Sequence, residues 1–149
     1  MKATYDAVVA SLRSAGRPVE EHEDEGRAAI EGYGANGDWM MVTQVYGEPR
    51  AVAVYAVPHD RVPPQRRQAM ALLLCRLNSE LVLGNFELDL DDGELRFKTT
   101  LEIGDDAPTT AQLEQVIALN LTTTDRYLPT IEAVVAGTGA DEAWQSSDQ

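Results

Sequence analysis

A single cysteine, Cys75, in 149 residues excludes an internal disulfide and any metal site built from several thiolates. Two histidines leave little for nucleophile and base chemistry: His22 sits in an acidic run, His59 stands beside Asp60, and neither has a motif around it. No apolar run approaches the ~18 residues of a membrane span, and the opening MKATYDAVVASLRSAG lacks the apolar stretch of a secretory leader. Positive charge is scarce, with 12 Lys and Arg against 25 Asp and Glu and a net charge of -13. Such a field repels phosphate backbones and anionic lipid surfaces, and it favours a basic protein segment or a cation. Phosphate-binding glycine loops are missing, because Gly32, Gly34 and Gly37 read as a strand end and a turn. These absences lead to the expectation of a cytoplasmic protein that is not an enzyme. It needs no cofactor or metal and makes no direct contact with nucleic acid or membrane.

What is present reads as one domain. Thr4 is placed to cap a helix with apolar positions Tyr5, Val8, Val9 and Leu12, which Gly16 and Pro18 end. The acidic run VEEHEDEG around His22 reads as a solvated linker or edge strand rather than a cation site. Residues 27–57 form a meander: RAAIEGY, a turn at Ala35-Asn36-Gly37, WMMVTQVY, a turn at Gly47-Glu48-Pro49, then AVAVYAV. In the middle strand Trp39, Met41, Thr43 and Val45 share one face and Met40, Val42, Gln44 and Tyr46 the other, so neither face is plainly polar. Such a strand is either covered on both sides or keeps an apolar face for a partner.

Pro63 and Pro64 introduce a second helix with the stripe Met70, Leu73, Leu74, Leu77 and Leu81, widened by Leu72 and Cys75. Its girth fits burial between sheet and helices, or a subunit interface; Cys75 reads as a small core residue. Arg61, Arg66 and Arg67 are the only basic cluster, either solvated or an anchor for an acidic group on a partner. A third helix starts at Thr109 or Thr110 and runs to Gly137, with a kink or break expected near Pro129. Residues 1–137 are expected to form the domain and residues 138–149 a flexible polar tail.

The stretch FELDLDDGELRF, Phe86 to Phe97, resembles a calcium loop only superficially. With Gly93 at the sixth position, Leu88 and Leu90 fall where ligands belong and Thr99 replaces the bidentate Glu. A hairpin fits better, with Asp92-Gly93 as a two-residue type I′ turn that sets Leu90 against Leu95 and Leu88 against Phe97. Its apolar face is then Phe86, Leu88, Leu90, Leu95, Phe97 and Leu101.

The residues Arg76, Leu77 and Asn78, then Gly84, Asn85 and Phe86, then Asp92-Gly93 and Arg96-Phe97 resemble the central signature of the YbjN family of bacterial sensory-transduction regulators. The similarity runs from about Gly26 to Val135. That family is similar in fold to class I type III secretion chaperones, acidic αβββαββα proteins that commonly form homodimers and bind segments of other proteins. The resemblance implies an α+β domain of this type with a five-stranded antiparallel sheet and three helices. It also implies a noncatalytic, chaperone-like adaptor or regulator acting on a client protein, which the acidic field would select to be basic, as DNA-binding proteins are. A small-molecule-sensing regulatory dimer is the alternative. Trp39, Met41 and Tyr55 are the candidate partner-binding anchors if their strand face is uncovered, and core residues otherwise. Leu72 is the candidate dimer-interface residue.

Overall fold

The alternation in the long middle strand sets the architecture. In the computed structural model, which describes residues 1–147, β3 (Gly37–Gly47) buries Trp39, Met41, Thr43 and Val45 and leaves Met40, Val42 and Gln44 half-buried. A pleated strand sends successive side chains to opposite faces, so one face of β3 is core and the other is not. β2 (Arg27–Gly34) and β4 (Arg50–Val57) flank it in antiparallel register, Ile30 and Ala56 standing opposite Met41. β6 (Leu95–Glu102) pairs with β4, β5 (Asn85–Leu88) with β6, and the short β1 (Glu20–His22) with β2. The sheet order is β1-β2-β3-β4-β6-β5, antiparallel throughout.

The helices are α1 (Lys2–Arg13), α2 (Arg67–Glu80), α3 (Thr110–Ala136) and α4 (Ala140–Ser146). α1 lays Tyr5, Val8, Val9 and Leu12 over Ile30, Met41, Val52 and Val54. α2 and α3 lay Met70, Leu73, Leu77, Leu128 and Ile131 over Trp39, Ala56, Phe86 and Phe97. All four helices therefore bury their apolar sides on one face of the sheet. No helix among the described residues is long and apolar enough to cross a membrane.

The α+β class and antiparallel sheet match the expectation, but the described residues form six strands and four α-helices rather than five and three. The added strand is the acidic run itself, since Glu20–His22 pairs with Arg27–Ala29 at the sheet edge. The added helix replaces most of the expected flexible polar tail: Ala143 is buried, Arg76 pairs with Asp141 at 2.8 Å, and the Trp144 indole N–H donates to Glu80 at 3.0 Å. Apolar contact by Ala143 and Trp144 is what holds so short a helix; residues 148 and 149 lie outside the described residues. At the other terminus Met1, not Thr4, is the N-cap of α1, and Thr4 is buried within the helix.

α3 begins at a capping box in which the Gln112 N–H donates to Thr109 Oγ1 at 3.1 Å and the Thr109 N–H donates to Gln112 Oε1 at 2.9 Å. The helix runs unbroken through Pro129. Proline removes the donor that would bond the Asp125 carbonyl, and Asn36 from the β2–β3 turn takes its place, donating from Nδ2 to Asp125 O at 2.9 Å. The Asn36 N–H donates in turn to Asp125 Oδ1 at 2.8 Å. Gly34 permits this docking, because a Cβ there would stand 2.3 Å from the Asp125 carboxylate.

The hairpin forms with a register two residues from that expected: Leu88 pairs with Leu95 and Phe86 with Phe97. A type I′ turn would need positive φ at both Asp92 and Gly93, and only Gly93 adopts it, at 80°. The carboxylates favour a longer loop. Asp89 Oδ1 accepts from the Asp91 and Asp92 N–H groups at 2.8 and 3.2 Å, and Asp92 Oδ1 accepts from the Glu94 N–H at 2.8 Å. That amide first, and then the Arg61 guanidinium, hold the Asp92 carboxyl below its ordinary range. A two-residue shift keeps each strand's faces, but it moves Leu90 out of the expected apolar face into solvent.

Arg61 is a solvated residue balancing nearby carboxylates, as expected, whereas Arg66 and Arg67 are half-buried and bind carbonyls. Arg61 pairs with Asp92 at 2.7 Å, Arg67 donates to the carbonyls of Val62 and Asp91 at 3.0 and 2.9 Å, and Arg66 donates to Val134 O and Thr138 O at 2.6 Å each. These bonds hold the hairpin loop and the end of α3.

Candidate functional site

With every helix on one side, the other side of the sheet is open. Register places Val42 opposite Tyr55 and Met40 opposite Val57, with Gln44 opposite Ala53 and Tyr46 opposite Ala51. β-Branched and aromatic residues suit the pleated surface whichever face they occupy, so the strand propensities do not distinguish the covered side from the open one. The result is a concavity of about 510 Å³ lined by Met40, Val42, Tyr46, Tyr55, Val57 and Arg96, among others.

The Tyr46 and Tyr55 hydroxyls lie 3.0 Å apart, and the Arg96 guanidinium sits 4.9 Å from the centre of the Tyr55 ring. The cations of this face are already paired: Arg96 with Glu87 at 3.3 Å, Lys98 with Glu87 at 3.5 Å, and Arg27 with Glu25 at 2.5 Å. Glu94 is among the residues lining the concavity, and beyond it Glu31 stands opposite Met40, with His59 Nε2 at 2.7 Å from Glu31 and 4.0 Å from Asp38. The site is thus an apolar floor with neutralised cations and an acidic rim.

Burial first, and then the hydrogen bond to Tyr46, push the Tyr55 phenol up to about 12 from its ordinary value of 10.0. A folded-state value raised this way means stability that is intact below pH 10 and is lost as the pH climbs towards about 12, because the unfolded chain releases the proton first. The thermal midpoint is therefore expected to fall across that interval, and Tyr55→Phe to flatten the fall. Ultraviolet phenolate absorbance of both proteins reads the late-titrating tyrosine directly; identical titrations would place the shift elsewhere.

Of the candidate anchors, Trp39 and Met41 are both 0% exposed and fill the core, on the helix side of β3. They are corrected from partner-binding residues to core residues. Tyr55 alone lies on the open face, and the structure brings it together with Met40, Val42, Tyr46 and Val57. Their alternation was present in the sequence, but both faces of β3 are comparably apolar, so nothing local distinguished them. Gathering Glu31, Asp38 and His59 needed the sheet.

Leu72 stands 60% exposed on α2 while Leu73 and Leu74 are buried. Cys75, expected in the core, is exposed one turn further along. Val82 and Leu90 are also exposed, at 94% and 62%, and Leu90 shares a shallow apolar depression with Ala71, Leu74 and Cys75 of this helix. This second surface is distinct from the sheet face.

A family model described as "YbjN: Putative bacterial sensory transduction regulator" matches residues 4–133. No curated protein sequence matches the chain. Among solved structures the chain is similar to YbjN from E. coli, with a TM-score of 0.62 and 14% identity over 87% of this chain and 89% of that one. It is similar to a chain of the HopA1-SchA chaperone-effector complex, with a TM-score of 0.50 and 18% identity over 84% and 89%. For the Yersinia pestis type III secretion chaperone SycH, solved with a fragment of YscM2, the TM-score is 0.49 and the identity 20%, over 80% and 96%. At such identities the likeness is one of fold.

Proposed function

The chain belongs to the YbjN family, and from that premise we propose that it is a noncatalytic, chaperone-like adaptor or regulator that binds a segment of another protein on its open sheet face. The observation that carries this reading is the uncovered apolar floor of Met40, Val42, Tyr55 and Val57, opposite a face that all four helices cover. Aromatic and methionine side chains in a desolvated centre supply most of the energy of a protein contact. A similar fold in a chaperone-effector complex supports a protein client. The client is a basic protein, DNA-binding proteins being one such class, because the net charge of -13 steers positive partners and repels nucleic acid itself. The working unit is a cytoplasmic homodimer joined through the surface at Leu72 and Cys75.

The second reading, a small-molecule-sensing regulatory dimer, uses the same concavity of about 510 Å³. A pull-down from nuclease-treated lysate, followed by titration of the recovered protein, separates the two when run beside a metabolite thermal-shift screen. Val42→Lys is expected to weaken the client about tenfold or more, and association should slow as salt rises past a Debye length of about 8 Å. Equal binding by Val42→Lys, or thermal shifts with metabolites alone, would overturn the protein-binding reading.

A further inference from the structure

β6 has eight residues and its outer neighbour β5 has four. Pairing between them begins at Asn85 opposite Lys98, and before Asn85 the chain turns away at Gly84, where φ is 78°. Thr99–Glu102 is therefore paired with β4 only. Strand alternation decides which backbone groups are left over. The Ile103 N–H donates to Arg50 O at 3.1 Å on the β4 side, so odd-numbered residues turn towards β4. Lys98 O turns the other way, 3.0 Å from the place a Cβ on Gly84 would take. Thr100 and Glu102 consequently aim N–H and C=O outward, and among the described residues no backbone hydrogen bond reaches them from that side.

The sheet's two other outer edges are managed. β1 carries Glu20, Glu21 and His22, charges that discourage pairing. Asn78 occupies the outer edge of β5, accepting from the Phe86 N–H at 2.7 Å and donating to Phe86 O at 3.1 Å. The stretch Thr99–Glu102 carries a single charge, Glu102, and among the described residues no side chain caps its outward backbone groups as Asn78 does for β5. Beside it runs a groove of about 500 Å³, lined by Leu83, Leu101, Gln115, Val116 and Leu119, among others, with Leu83 62% exposed at its lip.

The geometry points to a strand-addition site, at which an extended segment of another protein pairs antiparallel with Thr99–Glu102. This rests on the protein-binding reading and deepens it by assigning a second contact on a different edge of the molecule. Two donors and two acceptors alternating along one edge match a polypeptide backbone, and residues opposite Thr100 and Glu102 each exchange two hydrogen bonds. The register states the occupant's chemistry. The residue facing Glu102 lies on the open side of the sheet and is basic, the next faces Leu101 and drops its apolar side chain towards Val116 and Leu119, and the third, facing Thr100, is polar or β-branched.

The probe is a fluorescein-labelled, end-capped peptide Ser-Lys-Leu-Thr-Ser, its lysine set against Glu102, titrated into the full chain by fluorescence anisotropy. Saturable binding is expected. Methylating the lysine and threonine amides of the peptide should weaken it about tenfold or more, since each methyl group removes a backbone donor to the Thr99–Glu102 edge. Thr100→Pro should do the same without touching the β4 ladder, because only the outward N–H is removed. Should that variant fail to fold, Glu102→Lys decides: it weakens the peptide, and exchanging the peptide lysine for glutamate restores binding. No saturable binding to the unaltered chain, indifference to N-methylation, or unaltered affinity in a folded Thr100→Pro would overturn the site. Val42→Lys should leave the peptide unaffected, so a client without a peptide defeats this inference alone, and a peptide without a client defeats only the sheet-face reading.

Discussion

Gly93→Val is expected to lower the thermal midpoint by roughly 6–12 °C. Gly93 has φ 80°, which a β-branched residue adopts only under strain, and a Cβ would stand 2.2 Å from Val62 O and 2.9 Å from Arg67 Nε. Relief must move the loop, and the loop is held: the Val62 N–H donates to Gly93 O at 2.8 Å, and Arg67 donates to Asp91 O at 2.9 Å. Left-handed strain of roughly 1–2 kcal/mol and overpacking of roughly 1–3 kcal/mol add to about 3 kcal/mol or more. For a domain of this size each kcal/mol shifts the midpoint by about 2–4 °C. Gly104→Val is the control, because nothing lies within 4 Å of a Cβ there. Calorimetry showing equal midpoints for the two variants would mean the loop is not clamped as described.

Leu72→Glu is expected to convert the proposed dimer to monomer while leaving the fold intact. The side chain is 60% exposed, so a carboxylate there meets water in the free chain; at an apolar interface it would be buried unpaired. The dissociation constant should rise about a hundredfold or more, and light scattering should report 16.3 kDa instead of twice that mass. Leu73→Glu is the contrast, since Leu73 is 0% exposed and its replacement should unfold the chain. Exposed Cys75, one turn from Leu72, gives an independent readout through oxidative cross-linking across the interface. An unaltered chain that stays monomeric across micromolar concentrations would remove the dimer.

Burial separates the three candidate anchors: Trp39 and Met41 are core residues, and Tyr55 stands on the open face. Trp39 and Met41 carry large apolar side chains on one face of β3, and that face is where the helices pack. Their neighbours Met40 and Val42 differ from them hardly at all in polarity. The deciding facts lie far off in the chain, in α1 and α3. The hairpin register shows the same limit on a smaller scale: alternation identified Phe86, Leu95 and Phe97 as buried, and that survived, but side-chain hydrogen bonds from Asp89 and Asp92 chose the loop length.

The sequence by itself determined the class of the fold, the antiparallel meander, the hairpin around Gly93 and the acidic field, because each follows from a local period, a turn residue or a sum of charges. It also carried the family signature. Tertiary structure alone decided which sheet face is open, that Cys75 and Leu72 are exposed, that Arg66 and Arg67 hold carbonyls while Arg61 pairs with Asp92, and that Asn36 supplies the donor Pro129 lacks. It decided as well that β6 outruns β5 and leaves an edge at Thr100 and Glu102. Each of these depends on residues brought together from distant parts of the chain, where packing and pairing choose among arrangements that local propensity leaves nearly equal.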